Sequence, residues 1–373
     1  MRFTVTYRVF AENADQAAER AAGIALEQTV EIPRDVVPKG YIEETILGKV
    51  ETVAEEAEGS FVTNISYSPD SVGSDFAQLL NVMFGNSSIQ KDIKVLDFEL
   101  CSELEKHFPG PAFGIEGVRE RVNRPVGPLI SPVIKPQGSS ADTLAEIAYR
   151  CVIGGADVIK DDHGLVDQHM APFKERCEKI SAAVTRANKE TGGSAAYFPN
   201  IAGDSEKLLE FARFAKEVGA GGLLVMPGLF GFDVVRRLSA DREIDLPIMT
   251  HPTFLGPYVL SNNTGFSHAA LFGAIQRLAG SDISVFPNVG GRFGFSTEEC
   301  LSIASACRDT SRHGKTIFPS PGGGMSVALA GDMQRMYGTD VVYLLGGSLL
   351  RYGDRIGEGI SDMHKELAKH PLN

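Results

Sequence analysis

GGADVIKDDHG, residues 154–164, is the stretch that decides the fold of this chain. It places Lys160, Asp161, Asp162 and His163 directly after a short apolar run, which is typical of a buried strand and the loop that follows it. An amine, two carboxylates and an imidazole then stand at one strand end. Taken alone, such a run is more often a solvated charged loop, so its meaning depends on the surrounding pattern.

From residue 129 to the C-terminus, short apolar segments alternate with longer amphipathic segments eight times. Eight such units predict a (β/α)8 TIM barrel, whose active site lies at the C-terminal ends of the strands. An open doubly wound sheet is the alternative, disfavoured because no GxGxxG follows the first strand. The predicted strands are residues 130–134, 157–160, 195–198, 222–226, 247–249, 283–286, 316–318 and 341–344.

The residues before the barrel follow a β-α-β-β-α-β order, which predicts a ferredoxin-like α+β domain. Four prolines between residues 109 and 128 then interrupt regular structure. The predicted domains are therefore residues 1–125, ferredoxin-like, and residues 126–373, the barrel that carries the active site. The predicted elements of the first domain are strands 2–10, 45–53, 61–67 and 93–100 and helices 17–27 and 75–84.

The composition of the chain argues against several classes of binding partner. The net charge of −12 argues against a nucleic-acid or anionic membrane surface, because both require a basic stripe. The N-terminus has no signal-peptide pattern, and no apolar run approaches ~18 residues. Five scattered cysteines without CxxC spacing suit neither a zinc site nor a disulfide framework, so we expect a reducing, cytoplasmic location.

Polar residues also follow other predicted strands. Lys135 follows the first, Asn200 the third, His251 the fifth and Arg292 the sixth. A single lysine or histidine in such a place is more often a rim or structural residue. Because the carboxyl ends of all barrel strands meet at one rim, we expect these side chains to converge on one site.

Two glycine clusters, Gly322-Gly323-Gly324 and Gly346-Gly347, follow the seventh and eighth predicted strands. Barrels commonly hold a phosphate at this place between backbone N–H groups, and glycine allows the close approach. Two tight turns are the alternative, but the paired placement favours a phosphate site.

These residues resemble the large-subunit superfamily of ribulose-bisphosphate carboxylase, and specifically its non-carboxylating RuBisCO-like proteins (form IV). GGADVIKDDHG is similar to the family's metal-binding segment, and GGRFGF, residues 290–295, is similar to its mobile sixth loop. Both glycine clusters resemble its phosphate-binding turns. Further similarities lie at residues 27–29, 81–86, 108–111 and 131–136.

The resemblance implies several site properties. Lys160 would be carbamylated and would bind Mg²⁺ together with Asp162 and His163, while Lys135 would move a proton beside the substrate carbonyl. It also implies a head-to-tail homodimer, without a small subunit, in which Glu27 and Asn86 complete the partner's site.

The sequence departs from the family pattern at positions that bear on the substrate. His163 replaces a metal-binding glutamate, and Gln137 replaces a second lysine. Pro252 follows His251 where the carboxylases carry a phosphate-binding arginine, and Arg292 replaces a lysine. One phosphate site remains and the other is apolar, which predicts a monophosphate with an apolar far end.

We therefore predict an enzyme that isomerises 5-methylthioribulose 1-phosphate by proton transfer in methionine salvage. One alternative is a 3-oxo-isoapionate 4-phosphate decarboxylase, whose substrate carboxylate Arg292 could bind. The others are a 2,3-diketo-5-methylthiopentyl 1-phosphate enolase and a non-catalytic sugar-phosphate sensor. Carbon dioxide fixation is predicted to be absent.

Overall fold

The structure, a computed structural model, describes residues 1–371 as an α+β domain followed by an eight-stranded parallel barrel. The predicted fold class is thereby confirmed. The division between residues 125 and 126 stays a prediction.

The first domain is a ferredoxin-like sheet with two helices. The four strands of this domain lie side by side in the order β4-β1-β3-β2, and each neighbouring pair runs antiparallel. In β1, buried and partly exposed residues alternate, because successive side chains of a strand point to opposite faces. The elements are β1 (Phe3–Phe10), α1 (Ala14–Glu27), β2 (Lys49–Ala57), β3 (Ser60–Tyr67), α2 (Phe76–Phe84) and β4 (Ile93–Glu99).

The second strand begins later than predicted. Residues Ile42–Ile46 form a turn of π-helix, and β2 starts only at Lys49. The Arg2 guanidinium donates to the carbonyls of Thr45 and Leu47, at 2.6 and 2.8 Å. These carbonyls are therefore not available to a strand ladder, and the predicted strand 45–53 is displaced toward the C-terminus.

The helices α3 (Ser102–His107) and α4 (Gly114–Arg121) connect the domain to the barrel. Ile115 and Val118 of α4 pack with inward-facing barrel residues and close the N-terminal end of the barrel. The carboxylate of Asp282 accepts the N–H groups of Phe113 and Gly114, at 2.9 and 2.6 Å, which fixes the start of this helix.

The barrel contains all eight predicted strands, in the order β7-β6-β5-β13-β12-β11-β9-β8. A bridge between Asn200 and Leu224 joins β7 to β8 and closes it. The strands are β5 (Leu129–Ile134), β6 (Val158–Asp161), β7 (Ala196–Phe198), β8 (Leu223–Val225), β9 (Ile248–Thr250), β11 (Ile283–Pro287), β12 (Phe318–Gly322) and β13 (Val342–Leu345). The helices are α5 (Ala141–Ile153), α6 (Phe173–Thr191), α7 (Ser205–Glu217), α8 (Pro227–Phe230), α9 (Phe232–Ala240), α10 (Gln276–Leu278), α11 (Thr297–Arg308), α12 (Ala330–Tyr337), α13 (Gly347–Leu350) and α14 (Ile356–Ala368).

The seventh barrel strand, β12, is longer than predicted. It continues past Phe318 to Gly322, which pairs with Pro287 of β11 and Leu344 of β13. Gly322 is therefore the last residue of a strand, and the glycine turn after it begins at Gly323. The neighbouring strand β11 pairs with β12 through both of its prolines, Pro319 and Pro321.

One short strand links the two domains. After β9 the chain leaves the barrel, and β10 (Gly265–Phe266) pairs in parallel with β4. A helical segment, Ala269–Ile275, then returns the chain to α10. No helix within residues 1–371 has the length and apolar character needed to cross a membrane.

Candidate active site

A cavity of about 820 Å³ opens at the C-terminal ends of the barrel strands. Its wall contains eleven of the fourteen residues that the sequence predicted for the site. They are Lys135, Lys160, Asp162, His163, His251, Arg292, Gly322, Gly323, Gly324, Gly346 and Gly347. The expected convergence of polar strand ends on one rim is therefore present.

Lys160 and Asp161 point in opposite directions, because neighbouring side chains of a strand alternate. Lys160 lines the cavity but is only 1% exposed, and its Nζ donates to the Asp161 carbonyl at 2.8 Å. Burial lowers the pKa of this ammonium to about 8. Asp161 instead accepts from Arg176 at 3.1 Å and from the Tyr197 hydroxyl at 3.0 Å, so it joins β6 to its neighbours.

The Asp162 carboxylate lies between an imidazole and an ammonium group. His163 Nδ1 is 2.8 Å from Oδ1, and Lys135 Nζ is 3.8 Å from Oδ2. Burial opposes ionisation, but the His163 hydrogen bond and the Lys135 charge outweigh it and lower the pKa of Asp162. Asp162 is therefore an anion that faces the cavity.

His251 is held as a neutral ring. Its imidazole stacks on that of His163, with centroids 4.3 Å apart, and its Nδ1 accepts the Thr253 N–H at 3.3 Å. Burial and the nearby charge of Lys160 lower the pKa of His251 well below its usual range. Because Nδ1 accepts, Nε2 carries the proton, and the ring is a hydrogen-bond donor rather than a base.

The residues present fit an oxygen-seeking cation only in part. Within residues 1–371, no three His, Cys, Asp or Glu side chains come together as a metal site. Asp162 supplies one carboxylate, and Lys160 would supply a second anionic group if CO₂ added to its amine, which the lowered pKa favours. The Nδ1 of His163 is bonded to Asp162, so Nε2 is the ring nitrogen left for a cation, and nitrogen is a poorer ligand than oxygen for Mg²⁺.

The two glycine turns form one cradle. The N–H groups of Gly323, Gly324, Gly347 and Ser348 have no protein acceptor in the part of the chain that the structure describes. A Cβ at Gly324, whose φ is +69°, would lie 3.2 Å from the Gly291 backbone. Only glycine therefore allows the turn after β12 to approach the loop after β11, and several free donors remain for an anion.

One cation borders this cradle, and a second lies in the wall of the same cavity. A Cβ at Gly346 would lie 3.7 Å from Lys135 Nζ, so the ammonium sits beside the turn after β13. Arg351 also lines the cavity, and the sequence reasoning did not find it. The available signal was its position, about one helical turn beyond the second glycine cluster.

The far part of the cavity is apolar. Its lining includes Leu260, Phe272, Val285 and Phe295, and Pro252 stands directly after His251. The Arg292 guanidinium lies over the Phe293 ring, 4.9 Å from its centroid. This end therefore offers apolar surface and one guanidinium, where a second phosphate would need several donors.

Asn200 does not line the cavity, contrary to its predicted substrate contact. It is fully buried, and its Nδ2 donates to the carbonyls of His163 and Leu165, both at 2.9 Å. Its side chain therefore holds the loop after β6, and through this loop it positions His163.

Glu27 and Asn86 lie on the first domain, away from this chain's own cavity. Asn86 Nδ2 donates to Glu27 Oε1 at 3.0 Å, so the two side chains form one polar group on an exposed surface. Their predicted contribution to a partner's site stays a prediction.

Comparison with known proteins places this geometry in context. The family model for the catalytic domain of the ribulose bisphosphate carboxylase large chain matches residues 114–294. The chain is 38% identical over 362 residues to 5-methylthioribulose-1-phosphate isomerase of Rhodospirillum rubrum, covering 96% of this chain and 94% of that protein. It is 34% identical over 300 residues to 2,3-diketo-5-methylthiopentyl-1-phosphate enolase of Geobacillus thermodenitrificans, covering 80% and 73%. A crystal structure of a Rubisco-like protein from Rhodopseudomonas palustris superposes with a TM-score of 0.87 at 34% identity, covering 100% and 99%.

Proposed function

This chain belongs to the ribulose bisphosphate carboxylase large-chain family, among its RuBisCO-like proteins, and we propose that it isomerises 5-methylthioribulose 1-phosphate. The proposal combines a phosphate cradle, a lysine beside it and an apolar far end. The relative from Rhodospirillum rubrum that bears this name supports the choice of substrate.

The position of Lys135 carries the proposal. Its ammonium lies beside the Gly346 turn and 3.8 Å from Asp162, between the phosphate cradle and the anionic part of the cavity. A sugar phosphate held by the cradle would present the carbons nearest its phosphate to this amine. In the proposed reaction Lys135 removes a proton from a hydroxyl-bearing carbon next to the carbonyl, and a proton is returned to the former carbonyl carbon while the hydroxyl proton moves between the two oxygens. The phosphate ester stays intact.

The apolar end selects the other part of the substrate. A second phosphate beside Pro252 and Phe295 would lose hydration against apolar side chains, and the single guanidinium of Arg292 would not replace the several donors that the cradle offers, which is costly. Burial of a methylthio group against the same surface is favourable. We therefore expect a monophosphate with an apolar tail, and no carboxylation of ribulose bisphosphate.

His251 and Asp162 complete the proposed proton-transfer site. A neutral His251 donates a hydrogen bond from Nε2 to a substrate oxygen, which stabilises the charge that develops as the proton leaves. We also propose Mg²⁺ held by Asp162 and a carbamate on Lys160, with His163 as the third predicted ligand. When bound, the ion would stabilise an enolate oxygen.

The enolase reaction is the second candidate, because a relative of that name is 34% identical over 300 residues. Two features favour the isomerase over it. Gln137 removes a second cation from the reacting centre, and His163 replaces a carboxylate ligand.

The test is a substrate panel followed by NMR. The protein, with Mg²⁺ and bicarbonate, is incubated separately with 5-methylthioribulose 1-phosphate and with 2,3-diketo-5-methylthiopentyl 1-phosphate. We expect an isomer from the first and no product from the second, and no turnover by Lys135→Met. The reverse product pattern identifies the enolase. No turnover of either compound leaves the decarboxylase and the sensor, and release of CO₂ from 3-oxo-isoapionate 4-phosphate identifies the decarboxylase.

A further inference from the structure

Three polar side chains lie together behind the apolar end of the cavity, outside the catalytic rim. They are Lys94 of β4, His268 before the helical segment 269–275, and Glu299 of α11. Lys94 and His268 are 8% and 7% exposed, and Glu299 is partly exposed. None of them belongs to the proton-transfer site, so their burial has to be explained by what they contact.

Lys94 holds the loop after β9, residues 251–264, which we call the β9 loop. Its Nζ donates to the Ser261 carbonyl at 2.8 Å and lies 3.5 Å from that of Asn262. The preceding residue, Leu260, lines the cavity. The N–H of Asp92 also donates to the Thr264 hydroxyl at 3.0 Å. The first domain therefore fixes the position of a loop that forms the apolar end.

His268 and Glu299 hold the loop after β11, residues 288–296, which we call the β11 loop. The His268 ring meets the Phe295 ring edge-on with centroids 4.4 Å apart, and its Nδ1 lies 3.5 Å from Glu299 Oε1. Glu299 Oε2 accepts the N–H of Ser296 at 2.8 Å, in a capping box at the start of α11. The end of this loop is thereby attached to the same cluster.

The chemistry of His268 shows that its place is not an ordinary packing position. Its Nε2 is buried without a hydrogen-bond partner within residues 1–371. An unpaired buried polar atom costs free energy, so an apolar ring would be more stable here unless the contact with Glu299 is needed. Burial lowers the pKa of His268, while the charge of Glu299 opposes this effect and that of Lys94 adds to it.

We propose that Lys94, His268 and Glu299 are positioning residues that set the distance between the β9 loop and the β11 loop. They thereby determine how selectively the cavity accepts an apolar substrate tail. This inference rests on the proposed function, because it assumes that the tail lies between these loops. It assigns a specificity role to the first domain of the same chain.

The experiment measures tail preference without turnover. Calorimetry gives the Kd of two unreactive ligands, 5-methylthioribitol 1-phosphate and 5-deoxyribitol 1-phosphate, which differ only by the methylthio group. We expect the wild-type protein to bind the first ~10-fold more tightly, from the burial of that group. Lys94→Met and His268→Ala should bring the ratio close to one while changing the Kd of the 5-deoxy ligand little.

Two further variants separate positioning from folding. Lys94→Arg keeps a donor to the loop carbonyls and should restore most of the preference. Lys91→Met removes an exposed lysine from the same surface and should change nothing. If His268→Ala does not fold, His268→Phe keeps the aromatic contact, loses the contact with Glu299 and should still lower the ratio.

The outcomes distinguish the two proposals. If the wild-type protein binds neither ligand or shows no preference, the proposed substrate is wrong and the inference falls with it. If the wild-type protein shows the preference and the variants retain it, only the inference is wrong. If the variants bind both ligands more weakly by the same factor, the cluster has a purely structural role and the inference is also wrong.

Discussion

At the residue scale, the site depends on which side of a strand each titratable group occupies. Lys160 and Asp162 reach the cavity, whereas Asp161 between them pairs with Arg176 behind the strand. The two-residue period of a strand predicts this split once the strand is placed. Arg351 was missed because it follows the short helix α13, and only the folded chain shows that it lines the cavity.

Arg351 gives a direct test of the phosphate cradle. Arg351→Gln should raise the KM for the phosphorylated substrate ~10-fold or more, because a charge-assisted contact to the phosphate is lost. Arg355→Gln is the matched control, since Arg355 is exposed and its ion pair within residues 1–371 is with Glu358 at 3.3 Å. Steady-state kinetics measures the KM of both variants. Equal KM values would contradict a contact between Arg351 and the phosphate.

The lowered pKa of Lys160 predicts that carbamate formation on this residue depends on pH. The pKa of about 8 means that the neutral amine, which reacts with CO₂, increases as the pH rises toward that value. Below pH 8 its fraction falls about tenfold for each pH unit. A ¹³C-carbamate signal from labelled bicarbonate should therefore be larger at pH 8.5 than at pH 6.5. Lys135→Met should keep this signal and Lys160→Ala should lose it; a signal that Lys160→Ala retains would refute the assignment.

At the element scale, buried ion pairs and close backbone contacts position the loops. Strand β6 and helix α6 are joined by Asp161 and Arg176, whose side chains are fully buried. The contact between Gly291 and Gly324 joins the loops after β11 and β12. The hydrophobic pattern predicts the strands and helices, but not these contacts, because they depend on the twist that brings neighbouring loops together. The short strand β10 escaped prediction for a similar reason, since its partner is in the other domain.

Breaking the buried pair should destabilise the barrel. Arg176→Met leaves the Asp161 carboxylate buried without its cation and should lower the free energy of unfolding by ~3–5 kcal/mol. The double variant Asp161→Asn/Arg176→Met should lose less stability than the two single variants lose together, because no uncompensated charge remains. Urea denaturation measures all three variants. A loss below ~1 kcal/mol for Arg176→Met would show that the pair does not hold β6 to α6.

The glycine contact predicts a kinetic effect without a large loss of stability. Gly324→Ala adds a Cβ 3.2 Å from the Gly291 backbone at a positive φ, so the turn must move away from the β11 loop. We expect a higher KM and a small change in urea midpoint. Gly290→Ala is a useful comparison, because its φ is also positive but no atom lies within 4 Å of the added Cβ. Equal KM values for the two would contradict the argument.

At the scale of the whole molecule, the first domain has two predicted roles. Within one chain it holds the β9 loop through Lys94 and β10. Across a dimer, Glu27 and Asn86 are expected to complete the partner's site. The sequence could suggest the second role only through the family resemblance, and the first became visible only once the chain had folded.

Subunit mixing tests the shared site. Glu27→Ala and Lys160→Ala should each be inactive alone, because each damages every site of its own homodimer. After subunit exchange, half of the dimers are mixed and carry one intact site, so about a quarter of the wild-type activity should return. No recovery in a mixture that has demonstrably exchanged subunits would mean that Glu27 serves its own chain or neither.

The central claim is proton transfer by this site on a monophosphorylated ketose with an apolar tail. The most direct measurement is NMR of 5-methylthioribulose 1-phosphate in D₂O with the protein, Mg²⁺ and bicarbonate. We predict an isomeric product and loss of a carbon-bound proton signal near the phosphate or its replacement by deuterium, with neither seen for Lys135→Met. Unchanged substrate without deuterium uptake would contradict the claim.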